Sequence, residues 1–544
     1  MMADLPPLSV SDFPAYLGGV YGAPSDGMVR RPFPWQTRLL SRVVETGKWP
    51  RLLDLPTGTG KTTAIDIALF HLALEASKPP SERTALTRIV LVVDRRTIVD
   101  QAHTQAMQIR RRLLEADTPV LAAVRDRLQS FSSEAAPLTV AHLRGGVLRD
   151  EAWVRTPVQP VIAVSTVDQV GSRLLFRGYG ITEGMQPLHA GLLGMDTLFL
   201  LDEVHLSKPF RETLEGIVAL SARTSDGVGR GVQVTLLSAT PGTSDISIEE
   251  THSLTEEDRQ DQTLRIRLDA DKPTACIPIA VKGDENNRLE RVVDAIVGRV
   301  KELRQNGPVA IGVIVNRVLT ARSVFRGLAN ELGKDGMFLL TGRMRPLDRA
   351  GLESDVFSYV RAGRKRSEEN IIVVATQCIE AGADFDFDHL ITECASLDSI
   401  KQRFGRLNRL GNWSGATGWI FARSDSVGND DPVYGAALTE TWQYLQSVPE
   451  LNFRIDRWEE PPEIHRFLSK RASAPVLLPT HLDLWVQTRP KPRPDPEPAL
   501  WLHGPEPGLP EVRIIWRAVI STPSLLSCPP TSSEAMQVPL HAVR

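Results

Sequence analysis

Lys61 and Thr62 lie in the run Pro56-Thr57-Gly58-Thr59-Gly60-Lys61-Thr62-Thr63, between the apolar Leu52–Leu55 and the helix-patterned Ala64–Leu74. A strand, a glycine-rich turn and a helix N-terminus in that order cradle a phosphate. Backbone N–H groups and the helix dipole face the anion, the lysine reaches the β- and γ-phosphates, and the threonine hydroxyl can ligate Mg²⁺. Leu55 stands where a glycine or alanine usually opens such a loop, at a position that packs and does not touch phosphate. A second element, Thr197–Leu201 followed by Asp202-Glu203-Val204-His205, ends a buried-strand pattern on two carboxylates. In phosphoryl transfer Asp202 would hold Mg²⁺ and Glu203 would polarise the attacking water; the plainer use of either is to cap the next helix. Ser238-Ala239-Thr240, after the run Val234–Leu237, offers hydroxyls that can couple one domain to another, with His205 as a bridge. The third element is Gln402-Arg403-Phe404-Gly405-Arg406-Leu407-Asn408-Arg409. Arg406 and Arg409 are three apart and are expected on one helical face, where two guanidinium groups suit the developing charge of a triphosphate. Upstream of it Ala375-Thr376-Gln377-Cys378-Ile379-Glu380-Ala381-Gly382-Ala383-Asp384 follows another strand pattern.

These residues need scaffolds that present loop ends together. Short runs rich in Val, Ile and Leu supply the strands: Leu52–Leu55, Ile89–Val93, Val161–Ser165, Leu198–Leu201 and Val234–Leu237, then Val309–Val315, Met337–Leu340, Ile371–Ala375, His389–Thr392 and Gly418–Phe421. Amphipathic stretches such as Asn287–Arg304 separate them, as in parallel sheets covered by helices on both faces. The expected fold is α/β, with two tandem domains of doubly wound parallel sheet and a C-terminal accessory region. The expected boundaries are 1–245, a linker with a small hairpin over 246–285 built on the alternating Thr263–Leu268, 286–430, and 431–544. In the last part Gly435–Ser447 reads as helix and Arg513–Val519 as a strand, while Arg489–Gly508 carries seven prolines, too many for either.

The chain of 544 residues has 63 Lys+Arg against 66 Asp+Glu, a net charge of −3, so any nucleic acid must be held by a local groove. Its longest apolar runs fall far short of the ~20 residues that cross a bilayer, and the N-terminus has no basic region before an apolar core. The chain reads as soluble and cytoplasmic, with no membrane partner. Four scattered cysteines, without a CxxC pair, exclude a disulfide framework.

Phe33-Pro34-Trp35-Gln36, the phosphate loop, Asp-Glu-Val-His, Ser-Ala-Thr, Ala-Thr-Gln…Glu-Ala-Gly-Ala-Asp and the Gln-Arg-Phe-Gly-Arg-Leu-Asn-Arg run are similar, in that order, to the motifs of superfamily-two DExD/H-type helicases. The resemblance implies that the two domains are tandem RecA-like P-loop domains, with ATP and Mg²⁺ between them and a single strand crossing both. It implies Gln36, Thr57, Gly58, Thr59, Gly60, Lys61, Thr62, Thr63, Gly382 and Asp384 as nucleotide contacts, with Thr62 and Asp202 on the metal. Lys61, Asp202, Glu203, Gln402, Arg406 and Arg409 are then the catalytic set. Gln36 would read adenine, with Phe33 or Trp35 near the base or Trp35 in the core. Contacts to single-stranded DNA are expected at Arg95, Arg96, Gly145, Gly146, Thr166, Asn316, Arg317 and Thr376, all of types that suit phosphate oxygens and carry no base code. The family implies 3′→5′ movement on DNA.

Val164–Gly180 and Leu201–Phe210 further resemble the CRISPR-associated helicase of type I interference systems, most nearly the I-G (formerly I-U) variant, where a helicase is usually joined to an HD nuclease. The implied partner is an RNA-guided CRISPR surveillance complex. None of the eleven histidines is followed by aspartate, and Asp388-His389 reverses the order. The expectation is therefore that this chain has no nuclease centre and that an HD nuclease is a separate chain or a missing C-terminal part. An RNA helicase or a restriction-type DNA translocase of the same superfamily is the alternative. A scaffold with a degenerate ATP site is opposed by the intact Lys61, Asp202, Glu203, Arg406 and Arg409.

Overall fold

The computed structural model describes residues 5–22, 31–93, 96–145, 151–203, 208–221, 230–238, 246–305, 307–365, 368–380, 384–428, 431–505, 511–517, 527–531, 533–540 and 543. The chain divides into two compact units: Met1–Leu264 with Arg471–Pro507, and Arg265–Lys470 with Gly508–Arg544.

The first unit is built on seven strands: β1 (Leu52–Asp54), β2 (Arg88–Val93), β3 (Thr139–Leu143), β4 (Val161–Thr166), β5 (Thr197–Asp202), β6 (Val232–Ser238) and β7 (Thr251–Ser253). They run parallel in the order β3-β4-β2-β5-β6-β1-β7. Alternate residues of β2 serve opposite faces, and both faces are buried. Val90 and Val92 join a core with Phe199, Leu201, Phe210 and Leu214, which is completed by Trp485, Trp501 and Leu502 from far along the chain.

The second unit carries β8 (Thr274–Ile279), β9 (Ala310–Ile314), β10 (Met337–Leu340), β11 (Ile371–Ala375), β12 (His389–Glu393) and β13 (Thr417–Arg423). Their order is β10-β11-β9-β12-β13-β8, again all parallel. Ile314, Val373 and Ala375 enter one core and Ile311, Val313 and Val374 the other, so this sheet too is covered on both sides. Gly312 on β9 leaves room for the Phe387 ring, which a Cβ there would meet at 2.7 Å. A short antiparallel pair, β14 (Glu511–Ile514) and β15 (Met536–Pro539), belongs to the same unit.

The structure is α/β with two parallel sheets, as expected, and each of the ten apolar runs contains a strand. The region 246–285 differs. Thr263–Leu268 is not a hairpin strand but lies in the helix Gln262–Leu268, because Leu264 and Leu268, four apart, are the buried pair while Ile266 is exposed. Nor is the region a free linker: β7 closes the edge of the first sheet and β8 that of the second. The accessory region is likewise not one body, since 471–507 belongs to the first unit and the rest to the second. Among the described residues no helix is long and apolar enough to cross a membrane.

Candidate functional site

In the first unit the phosphate loop is braced from three sides. Leu55 is buried, which accounts for a leucine at that position, and its N–H donates to Ser238 O at 3.1 Å. Gly58 (φ +85°) and Gly60 (φ +80°) take the left-handed turn that the loop requires and that glycine adopts without strain. Thr59 Oγ1 donates to Pro56 O at 2.8 Å, closing the loop. The helix Pro34–Thr46 supplies the third brace: Trp35 Nε1 donates to Thr59 O at 3.1 Å, and Gln36 Nε2 lies 3.5 Å from Gly60 O. Lys61–Thr63 form a single 3₁₀ turn that runs into the helix Ala64–Leu74, and Lys61 Nζ donates to Leu55 O at 3.2 Å. Trp35 is fully buried and its carbonyl meets His252 Nε2 at 3.0 Å, so its ring belongs to the core and not beside a base. Burial pushes the His252 imidazole down to about 4, so it stays neutral at pH 7.

The strand order explains why the acidic pair lies near this loop. β6 separates β1 from β5, with Leu237 opposite Leu53 on one side and Asp202 on the other. Asp202 thus stands two strand spacings, about 10 Å, from the end of β1. Glu203 N donates to Leu237 O at 3.1 Å, as Leu55 N does to the next β6 carbonyl. Glu203 is buried and has φ +52°, a strained conformation for glutamate that costs about 1–3 kcal/mol and turns the chain sharply off the sheet. His205, Ala239 and Thr240 lie outside the described residues.

In the second unit the helix Leu397–Phe404 carries Gln402 and Arg403, both buried, and stops there. Arg406 and Arg409 therefore do not share a helical face. Past Gly405 the chain leaves the helix to pair with the segment before β12: Phe387 N donates to Arg406 O, Asn408 N to Phe387 O, and Arg409 N to Asp386 Oδ1 at 2.7 Å. Arg406 is buried, with Nη2 donating to Glu380 O at 2.7 Å. Arg409 Nε lies 3.4 Å from Asp384 Oδ1. Gly382 falls outside the described residues.

Arg403, which the motif reading did not single out, is the best-connected group of the site. Its guanidinium is wholly buried and donates to Glu380 Oε1 (2.8 Å), Thr392 Oγ1 (2.7 Å), Glu393 O (2.9 Å), Asn316 Oδ1 (2.9 Å) and Tyr434 OH (2.9 Å). Burial works against its charge, but Tyr434, Glu380 and Glu393 outweigh burial and hold its pKa above the ordinary range. Burial also pushes the Tyr434 phenol up to about 12.

The expected strand contacts fare differently. Thr166 ends β4 and immediately precedes the helix Val167–Leu174, and Thr376 follows β11; both are buried at the carboxyl ends of their strands. Gly145 lies just past β3, next to Arg144, whose Nε donates to Asp100 at 2.6 Å. Arg317 is half-exposed, with Glu285 at 3.8 Å and Asp431 at 3.9 Å. Asn316 is a correction: its amide joins Arg403 to Cys394 O, so it braces the interior and is not presented to a phosphate. Arg96 starts the helix Arg96–Glu115, while Arg95 and Gly146 lie outside the described residues.

Two families match the chain. "Type III restriction enzyme, res subunit" covers residues 30–221 and "CRISPR-associated nuclease/helicase Cas3, C-terminal" covers 308–412. A CRISPR-associated nuclease/helicase Cas3 from Streptococcus thermophilus is 36% identical over 110 residues, 20% of this chain and 12% of that protein. One from Haloferax volcanii is 33% identical over 160 residues, 27% of this chain and 16% of the relative. Over these stretches the chain is similar to superfamily-two, Cas3-type helicases. The crystal structure of T. fusca Cas3-ATP shares the fold, with a TM-score of 0.61 at 16% identity over 98% of this chain and 66% of that one. The matched stretches thus span a small part of the two relatives' own length, and even the structural match leaves a third of the T. fusca chain uncovered.

In the second unit a further buried group escaped the motif reading. Lys272, only 2% exposed, precedes β8 and donates from Nζ to Phe404 O at 3.0 Å, behind the arginine turn. Its partner is 132 residues away in sequence, and no local pattern could have marked it.

Proposed function

We propose that this chain is the motor of a type I CRISPR interference system, of the I-G variant, which hydrolyses ATP to move 3′→5′ along single-stranded DNA and unwind the target opened by an RNA-guided surveillance complex. The observation that carries the reading is the braced phosphate loop, with two glycines at positive φ, level with the Asp202-Glu203 strand end across β6. The Cas3 relatives support the CRISPR role, and the fold shared with T. fusca Cas3-ATP supports ATP as the nucleotide.

Lys61 and the loop N–H groups bind the phosphates, and Trp35 and Gln36 hold the loop in shape from behind. The donor set fits Mg²⁺: an oxygen-only pair, the Thr62 hydroxyl and the Asp202 carboxylate, as a hard cation requires. When bound, the ion neutralises phosphate charge. Glu203, fixed by its backbone, orients and polarises the attacking water. Arg406 and Arg409 meet the charge that develops on the transferred phosphoryl group, a role realised in the transition state. Thr166, Thr376, Arg317 and Gly145 contact the strand backbone without reading bases. Cleavage falls to a nuclease outside this chain, as the lack of any His-Asp pair in the sequence supports.

Steady-state ATPase activity without nucleic acid, with single-stranded DNA and with single-stranded RNA tests this reading, with Mn²⁺ or Ni²⁺ added to look for nicking. DNA-specific stimulation without nicking is expected. Stimulation by RNA alone would refute the DNA assignment, and metal-dependent nicking would refute the separate nuclease.

A further inference from the structure

Lys272 lies in no motif, yet it sits behind the turn that carries Arg406 and Arg409. The segment around it is anchored to the second sheet and its neighbours. Lys272 N donates to Asn452 Oδ1 at 2.8 Å, Phe453 N donates to Lys272 O at 3.2 Å, and Pro273 leads into β8. Phe453 stacks on Phe404 with ring centroids 3.9 Å apart, and Asn408 Nδ2 lies 3.4 Å from Asp271 O. The last residue of the arginine-bearing helix and the turn after it are thus gripped by one short stretch, Asp271–Pro273. At its centre the Lys272 ammonium caps Phe404 O, one of the carbonyls that a helix end leaves without a helical partner. The charged groups that face it are Asp386, Arg409 and Arg406; burial, opposed by Asp386 and reinforced by the two arginines, pushes its pKa down to about 8. Asp386 in turn holds Arg409 N at 2.7 Å.

We propose that Lys272 is a positioning residue for Arg406 and Arg409: by capping Phe404 O it ties the end of the preceding helix to the sheet edge and so fixes where the turn that carries the two arginines begins. The inference rests on the role given to Arg406 above. Because the arginines act on transition-state charge, a turn that has lost this support should bind nucleotide normally and turn it over slowly.

The test is DNA-stimulated ATP hydrolysis by the full chain as K272M, K272Q and R406A, with a fluorescent ATP analogue reporting nucleotide affinity. K272M is expected to lose about tenfold in kcat with the affinity for nucleotide within about twofold of wild type, in the same direction as R406A. Should K272M fail to fold, K272Q decides, since its amide keeps a donor for Phe404 O without the charge; an intermediate kcat is expected. Wild-type kcat in the folded variant, with R406A impaired, overturns the role of Lys272 and leaves that of Arg406 standing. An unimpaired R406A overturns the assignment of Arg406 itself. Equal loss of kcat and nucleotide affinity in K272M makes Lys272 a general fold contact and also overturns the inference.

Discussion

Replacing Arg403 by methionine removes the cation from the centre of a buried network and leaves the Glu380 carboxylate, 3% exposed, without its guanidinium. Breaking one side of such a pair costs about 3–5 kcal/mol, because the remaining charge stays desolvated. The Thr392 hydroxyl, Asn316 Oδ1 and Tyr434 OH also lose the donor they share. For a unit of this size each kcal/mol is worth about 2–4 °C, so R403M should lower the melting temperature by about 6–20 °C. Replacing both partners, E380M with R403M, removes the isolated charge and leaves only the four neutral groups, the Glu393 carbonyl included, to find new partners, about 1 kcal/mol each. The double variant should therefore be less damaged than R403M alone, with a coupling energy of about 3 kcal/mol or more. Urea unfolding of the full chain and its three variants, followed by circular dichroism, measures the cycle. Simple additivity of the two single losses, with coupling under about 1 kcal/mol, would falsify the claim that a buried ion pair organises this site. ATP turnover supplies a second reading: the double variant regains stability but not activity, because the segment at position 380, whose carbonyl holds Arg406 Nη2, has lost its tie to position 403.

K61A and E203Q should each abolish strand-stimulated ATP hydrolysis while leaving the melting temperature within a few degrees of wild type; full activity in either variant would overturn the site assignment. Lys272 makes the stability of the second unit pH-dependent. Burial, opposed by Asp386 and reinforced by Arg409 and Arg406, pushes its pKa from 10.5 down to about 8. Between those values the unfolded chain binds a proton that the folded chain does not, so stability should rise as pH increases from about 8 to about 10.5, by about 3 kcal/mol at most. K272M should lack that rise, and thermal melts of both proteins across this window would show a parallel rise if the group is not buried as described.

What was legible in the sequence was local chemistry. The glycines at 58 and 60, the strand before them and the helix after them are contiguous, and the left-handed backbone they adopt is what glycine alone takes without strain. Asp202 and Glu203 end an apolar run, and a strand end is where such a run must surface. What was not legible depended on partners distant in sequence. Arg403, Arg406 and Arg409 share one spacing, and nothing in it says that the first is buried with Glu380 or that the helix ends at Phe404. Pairing of Leu407 with Phe387 decides that. β8 escaped notice because it holds Pro278, which an edge strand tolerates, and β3 because its Thr139 and His142 are only partly buried. Thr263–Leu268 alternates in type, but the packing of Leu264 and Leu268 at a spacing of four prevailed.

The two units solve the same positioning problem by the same means, and this bears on which substitutions the site tolerates. Each puts the residues expected to meet nucleotide on irregular backbone beyond a regular element: the loop after β1, Glu203 after β5, the turn after Phe404. Irregular backbone leaves N–H and C=O groups without helical or sheet partners, and burying them unpaired is costly. In the first unit the end of β6 takes them up, holding Leu55 and Glu203 through neighbouring carbonyls. In the second, Phe387 and Asp386 do so for 406–409, with Lys272 capping the helix end. The groups expected to meet nucleotide are thereby set largely by main-chain atoms of neighbouring segments, which any side chain at those neighbours supplies. The residues whose side chains do the bracing, Trp35, Asp386, Arg403 and Lys272, are the ones where substitution should disturb the geometry of the site without removing a group expected to meet nucleotide.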